Sequence, residues 1–174
     1  MPCDGSGKND SVNPQPTTPW DTTASPPGRV LGIDYGARRL GLAVSDPSRR
    51  IAQGLPTLHR ENKRKDLHTL KSLVSAREVT LIVLGNPLHM DGTESSQSGR
   101  VREFAADLER HLGVEVVLWD ERLTSVEAGR VLELSGRKPS RIPEVVDQMA
   151  AVILLQHFLD AHRTSEPATW EQEA

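Results

Sequence analysis

Between residues 29 and 159, short apolar runs alternate with longer stretches whose apolar residues recur every three or four positions. Arg29 to Ile33 and Leu40 to Val44 are two such runs joined by a Gly-bearing link, which predicts two antiparallel strands. Gly54 to Leu58 is a candidate third strand. Leu67, Leu70, Leu73 and Val74 share one helical face and predict a helix over 65–78. The continuous run TLIVLG, residues 80–85, predicts a buried strand. Val101, Phe104, Ala105, Leu108 and Leu112 mark the next helix, closed by Gly113. VEVVLWD, residues 114–120, predicts another strand. Thr124 with Glu127 makes a capping box that opens a helix to about Leu134. A basic, proline-bearing loop follows over 136–143, then a last helix over 145–159. The order ββ(β)αβαβαα predicts an α/β fold: a mixed central sheet of about five strands flanked by α-helices.

The two ends read differently. Residues 1–28 hold six of the 12 prolines, interspersed with Ser, Thr, Gly and Asn, too little apolar surface to offset ordering entropy. They are expected to be a disordered tail, and 163–174 a shorter flexible one, leaving one folded domain over 29–162. Deleting residues 1–28 is therefore expected to leave the melting temperature nearly unchanged; a large drop would mean that Trp20 or its neighbours dock on the core.

Composition narrows the class. Hydrophobic residues make up 36% and charged residues 26%, as in ordinary globular proteins. The net charge of -3 means that an anionic partner must meet a local basic patch, not a basic protein. A single cysteine, Cys3, excludes an intrachain disulfide framework and a thiolate metal cluster. The apolar run Met149 to Leu155 is too short to span a bilayer, and no signal-peptide pattern is present. A cytoplasmic protein without membrane attachment is the expectation.

The candidate chemistry lies where apolar runs end in acids. Asp34 closes the first strand, Asp120 and Glu121 close the last, and Asp147 falls in the first turns of the final helix. Parallel strands present their carboxyl ends to one crevice, the usual ligand site of an open α/β sheet. Three carboxylates gathered there would repel unless a divalent cation lay between them. Hard oxygen donors without Cys point to Mg²⁺ or Mn²⁺, and the chemistry natural to such a site is two-metal phosphodiester hydrolysis. Each acid also has a plainer reading. Asp34, just before Gly36, is a turn residue; Glu121 favours a helix dipole; Asp147 is a solvated acid near a helix start. Arg38 and Arg39 sit in the first link, Arg122 follows Glu121, and Arg137, Lys138 and Arg141 form a basic cluster before the last helix. These six are the candidate nucleic-acid contacts. With Tyr35 the lone aromatic beside the proposed site, backbone and shape recognition fits better than base stacking.

Five ordered motifs carry a resemblance: GIDYGARRLGLAVSD, GLPTL, GNPLHMDGTES, VREFAADLERHLGVEVVLWDERLTSVEA and DQMAAVILLQHFLD. Over about Arg29 to Asp160 the chain resembles the YqgF family, also called RuvX, nucleases and resolvases of the RNase H-like superfamily. The resemblance implies an RNase H-like fold, with Asp34, Glu121 and Asp147 as the metal-binding catalytic set. It also implies processing of the 5′ end of pre-16S rRNA in ribosome biogenesis, with Holliday-junction resolution in DNA recombination as the alternative. Partners would then be pre-rRNA or branched DNA and ribosomal subunit precursors, met as a monomer or a homodimer. The family commonly has an apolar residue where Asn86 stands and an Asn where His89 stands, which bears on loop contacts and not on the acids. Two other classes share features with this chain. GIDYG also resembles the first phosphate loop of actin-like and sugar kinases, but those close two domains around the nucleotide and carry a second Gly-rich loop. A non-catalytic ribosome-assembly module would have no need of all three acids.

Overall fold

The computed structural model describes residues 28–87, 96–120 and 143–162. Five strands form one sheet: β1 (Arg29–Tyr35), β2 (Arg39–Ser45), β3 (Ala52–His59), β4 (Val79–Asn86) and β5 (Glu115–Asp120). Three helices are described: α1 (Lys63–Ala76), α2 (Ser96–Leu112) and α3 (Pro143–Ala161). The predicted capping-box helix from Thr124 lies outside the described residues. The strand order is β3-β2-β1-β4-β5. β1, β2 and β3 form an antiparallel meander, while β4 and β5 run parallel to β1 after helical crossovers.

Alternation along the strands builds two cores. Leu31 and Ile33 of β1, with Leu40, Leu42 and Val44 of β2, pack under α1 and α2 against Leu70, Phe104 and Leu108. The intervening positions Val30, Ala43, Leu81 and Val83 face α3 and meet Ala151, Leu155 and Phe158. Asp34 is in phase with Val30, so a period of two puts it on the α3 side. α1 begins where Asn62 caps it, accepting from the Lys65 N–H at 3.0 Å. Gly113, at φ 69, follows the end of α2.

β3 is an edge strand, and α3 covers it with polar side chains. Gln156 accepts from the Ala52 N–H at 2.9 Å and donates to the Arg50 carbonyl at 2.9 Å. Gln148 donates to the Leu55 carbonyl at 2.9 Å, and the Thr57 hydroxyl donates to the Glu144 carbonyl at 2.9 Å. These bonds occupy backbone groups that an open edge would offer to other chains. At the other boundary, Gly28 belongs to the body: its carbonyl accepts from Arg49 Nε at 3.0 Å, and it packs against Glu78 and Thr80. No helix among the described residues is long and apolar enough to cross a membrane.

Candidate active site

Register brings the first acid to its place. Asp34 lies opposite Gly41 in the β1–β2 ladder, with Tyr35 opposite Leu40. Gly41 has no side chain, and α3 uses the space: a Cβ there would run into the Asp147 carbonyl oxygen and come within 3.2 Å of Asp34 Cβ. Along the same helix, Ala151 and Leu155 lie over Gly32, and Gln148 lies over Gly54. Glycines on three neighbouring strands thus let α3 lie close to the sheet and carry Asp147 to Asp34. A glycine inside a strand pattern is the sequence signal for such an approach, and LGLAV in β2 contained it.

The link between β1 and β2 is braced from α1. Gly36 N–H donates to the Arg39 carbonyl at 3.0 Å, closing the turn, and that carbonyl fills the space a Gly36 side chain would need. Arg60 donates through Nη1 to the Gly36 carbonyl at 3.1 Å and through Nε to Asp66 at 3.2 Å. Its guanidinium lies 4.6 Å from the Tyr35 ring centroid, which in turn packs on Phe104 at 5.1 Å. Asp66 is fully buried and also accepts from the Glu61 N–H at 3.2 Å. The backbone that follows Asp34 is therefore held by a cation, two rings and a buried acid.

The electrostatics at Asp34 are those of a confined acid. Burial, and secondly the charge of Asp147, push its carboxyl up to about 6. Arg39 Nε donates to Asp147 Oδ2, a charge-assisted bond between two partly buried groups. Arg38 is exposed, and its carbonyl accepts from the Arg60 N–H at 2.9 Å. The structure thus separates the two neighbouring arginines: one faces an acid of the site, the other faces solvent. The link between Arg39 and Asp147 was not legible in the sequence.

Of the other predicted site residues, Glu121, Arg122, Arg137, Lys138 and Arg141 lie outside the described residues, as does His89. Asp120 ends β5 opposite Asn86, the last residue of β4. Asn86 Oδ1 is buried without a hydrogen-bond partner among the described residues. Within those residues no group of three or more His, Cys, Asp or Glu is gathered. What is gathered is a pair of carboxylates, one desolvated and repelled by the other, with no sulfur donor beside them. Such a pair offers hard oxygen donors and a deficit of positive charge, which fits a divalent cation of the Mg²⁺ or Mn²⁺ type.

Comparison with known proteins agrees with this frame. The sequence profile of the family described as "RuvX: Holliday junction resolvase" matches residues 28–161. The chain belongs to this family. A RuvX relative from Koribacter versatilis, named "Putative pre-16S rRNA nuclease", is 50% identical over 133 residues, covering 76% of this chain and 87% of the relative. One of the same name from Thermoanaerobacter pseudethanolicus is 40% identical over 136 residues, covering 78% of this chain and 98% of the relative. Among solved structures, the fowlpox virus resolvase in complex with Holliday-junction DNA superposes with a TM-score of 0.50 at 8% identity, covering 78% of this chain and 99% of that one. At that identity the likeness is one of fold, and the fold is RNase H-like.

Proposed function

We propose that this protein is a divalent-metal-dependent nuclease that hydrolyses phosphodiester bonds in structured nucleic acid, and that its main task is processing the 5′ end of pre-16S rRNA. The observation that supports this best is the Asp34–Asp147 pair: a half-buried strand-end carboxylate met by a second acid delivered on α3. Glu121, which follows the last residue of β5 in the chain, is the third acid of the set. Together these three would hold Mg²⁺ or Mn²⁺, whose chemistry when bound is to activate water and to stabilise the leaving oxygen.

The remaining work falls to this chain's own groups. β1 holds Asp34 on a central strand, where its position varies less than on a loop. Arg39 orients the Asp147 carboxylate and offsets its charge beside Asp34. Arg38, exposed at the hairpin, meets substrate phosphates, and Arg122, Arg137, Lys138 and Arg141 complete the basic path. Arginine suits this role because its fork matches phosphate oxygens. The partners are pre-rRNA and ribosomal subunit precursors, the place of work is the cytoplasm, and the protein acts as a monomer or homodimer. Resolution of Holliday junctions is the second reading, supported by the description of the matching family.

Cleavage of pre-16S rRNA and of a four-way DNA junction, side by side with Mg²⁺, Mn²⁺ or EDTA, tests this. Cutting of the rRNA near the mature 5′ end, abolished by EDTA, is the expected result. Cutting of the junction alone would replace the rRNA reading with the second one. Full activity in EDTA would overturn the metal site.

A further inference from the structure

Helix α1 opens against the usual charge preference. Lys63, Arg64 and Lys65 share its first turn with Asp66, where the helix dipole disfavours cations, and its last turn carries no cation. Two of the three are paired: Lys63 with Asp107 of α2, and Lys65 with Glu61. Arg64 is exposed and has no acid partner among the described residues; neither has Lys71. Seven residues apart, these two lie on one face of α1 about 10 Å from each other, with exposed His68 between them. Asp66, the acid of this helix, is buried and engaged by Arg60, so no carboxylate of α1 offsets that face. Ion pairs account for Lys63 and Lys65 but not for Arg64, whose charge the helix dipole opposes. In a chain of net charge -3, it is a local concentration of positive charge.

The face begins at the same end of the sheet as the candidate active site, on the layer opposite α3. Arg60, just ahead of α1, bonds through its side chain to the Gly36 carbonyl and through its backbone N–H to the Arg38 carbonyl. Arg38 and the start of α1 therefore share the end of the sheet at which β1 presents Asp34. From there Arg64 and Lys71 lead away along the outer side of the helix.

We propose that Arg38, Arg64 and Lys71 form a track for the phosphate backbone of a duplex arm flanking the scissile phosphate. This rests on the nuclease reading for its purpose, not for its binding chemistry. The ligand is the regular phosphate array of a double helix, RNA or DNA, contacted without reading bases. The track runs from Arg38 in the β1–β2 link onto α1 and uses none of Arg137, Lys138 and Arg141.

Binding of the full chain to a blunt RNA duplex and a blunt DNA duplex, each of about two turns, is measured in EDTA over a salt series. Arg64→Gln and Lys71→Gln are each expected to lower the slope of log K against log salt by about one unit on B-DNA, and the double variant by about two. Arg77→Gln is the charge-matched control: Arg77 lies about 9 Å beyond Lys71 along the axis but about 120° round the helix from it, off the face of the track, and its variant should keep the wild-type slope. A larger loss on one duplex than on the other identifies which arm the track holds. Unchanged slopes in the Arg64 and Lys71 variants would overturn the track. So would an equal loss from Arg77→Gln, or no binding of either duplex by the wild type. Cleavage is scored separately: slopes that shift as expected, in a protein that cuts nothing with Mg²⁺ or Mn²⁺, would refute the nuclease reading and leave the track standing.

Discussion

Asp34→Asn is expected to abolish cleavage while raising the melting temperature of the metal-free protein at neutral pH. The loss should be of several orders of magnitude in single-turnover rate, because an amide supplies one neutral oxygen where the site needs a charged donor. The gain in stability follows from linkage. The folded-state carboxyl is pushed up to about 6 from an ordinary 3.8, so between those values the native state binds more protons than the unfolded state. Stability of the metal-free wild type should then fall as pH rises from about 4 to about 6, and stay at the lower level above that. The cost of the ionised, half-buried acid is on the order of 3 kcal/mol at pH 7, and the asparagine escapes most of it. Thermal melts in EDTA at pH 4, 5, 6 and 7 check the point: the advantage of the variant should grow through this window and be near zero at pH 4. An advantage independent of pH would mean that Asp34 is not desolvated as the fold implies. Loss of activity with no gain in stability is the pattern of an ordinary surface ligand, and loss of both is the pattern of a structural residue.

Gly41→Ala is expected to be the most damaging small substitution in the sheet. The added methyl meets the Asp147 carbonyl oxygen, a backbone atom in a helix that packs along much of its length. Relief requires α3 to move away from β2, which separates Asp147 from Asp34 and opens the core around Ala151 and Leu155. A cost of about 3 kcal/mol, or a drop of roughly 10 °C in Tm, is the expected scale. Cleavage should fall even at temperatures where the variant is folded. Gly54→Ala is the control. Its methyl would meet only the side chain of Gln148, which can swing aside at the cost of its bond to Leu55, so about 1 kcal/mol is expected. Equal losses at the two positions would show that helix approach is not what Gly41 provides.

Much of the architecture was legible in the sequence because it is local. The periodicity of Leu67, Leu70 and Val74 placed α1, whose observed range Lys63–Ala76 starts two residues earlier than predicted because Asn62 sets the cap. The runs that predicted β1, β2 and β4 each lengthened by two residues, as ladders with neighbours carried pairing beyond the apolar stretch. The third strand, expected over 54–58 and observed over 52–59, mixes exposed and buried positions and is held at the edge by glutamines of α3. The acids at 34 and 147 were found as candidates, but their meeting rested on a family resemblance and not on spacing. Arg39 was read as a phosphate contact; that it reaches Asp147 depends on a packing between segments 108 residues apart.

Asp34 and Asp46 mark the limit. Each follows an apolar run; Pro47 after Asp46 signals a turn, but nothing beside Asp34 says what packs over it. In the folded protein they sit at opposite ends of the β1–β2 hairpin and in opposite electrostatic states. Burial alone would raise Asp46, but it accepts from the Ser48 hydroxyl and from the N–H groups of Ile51, Arg50 and Ser48, which together hold its carboxyl down to about 2: it is a turn acid. Asp34 lies under α3 beside a second carboxylate and is pushed the other way. The sequence alone determined where strands and helices form and that acids end them, since periodicity and turn chemistry act over a few residues. The tertiary structure decided which acid is a ligand candidate, because desolvation and charge coupling depend on what distant chain packs above it.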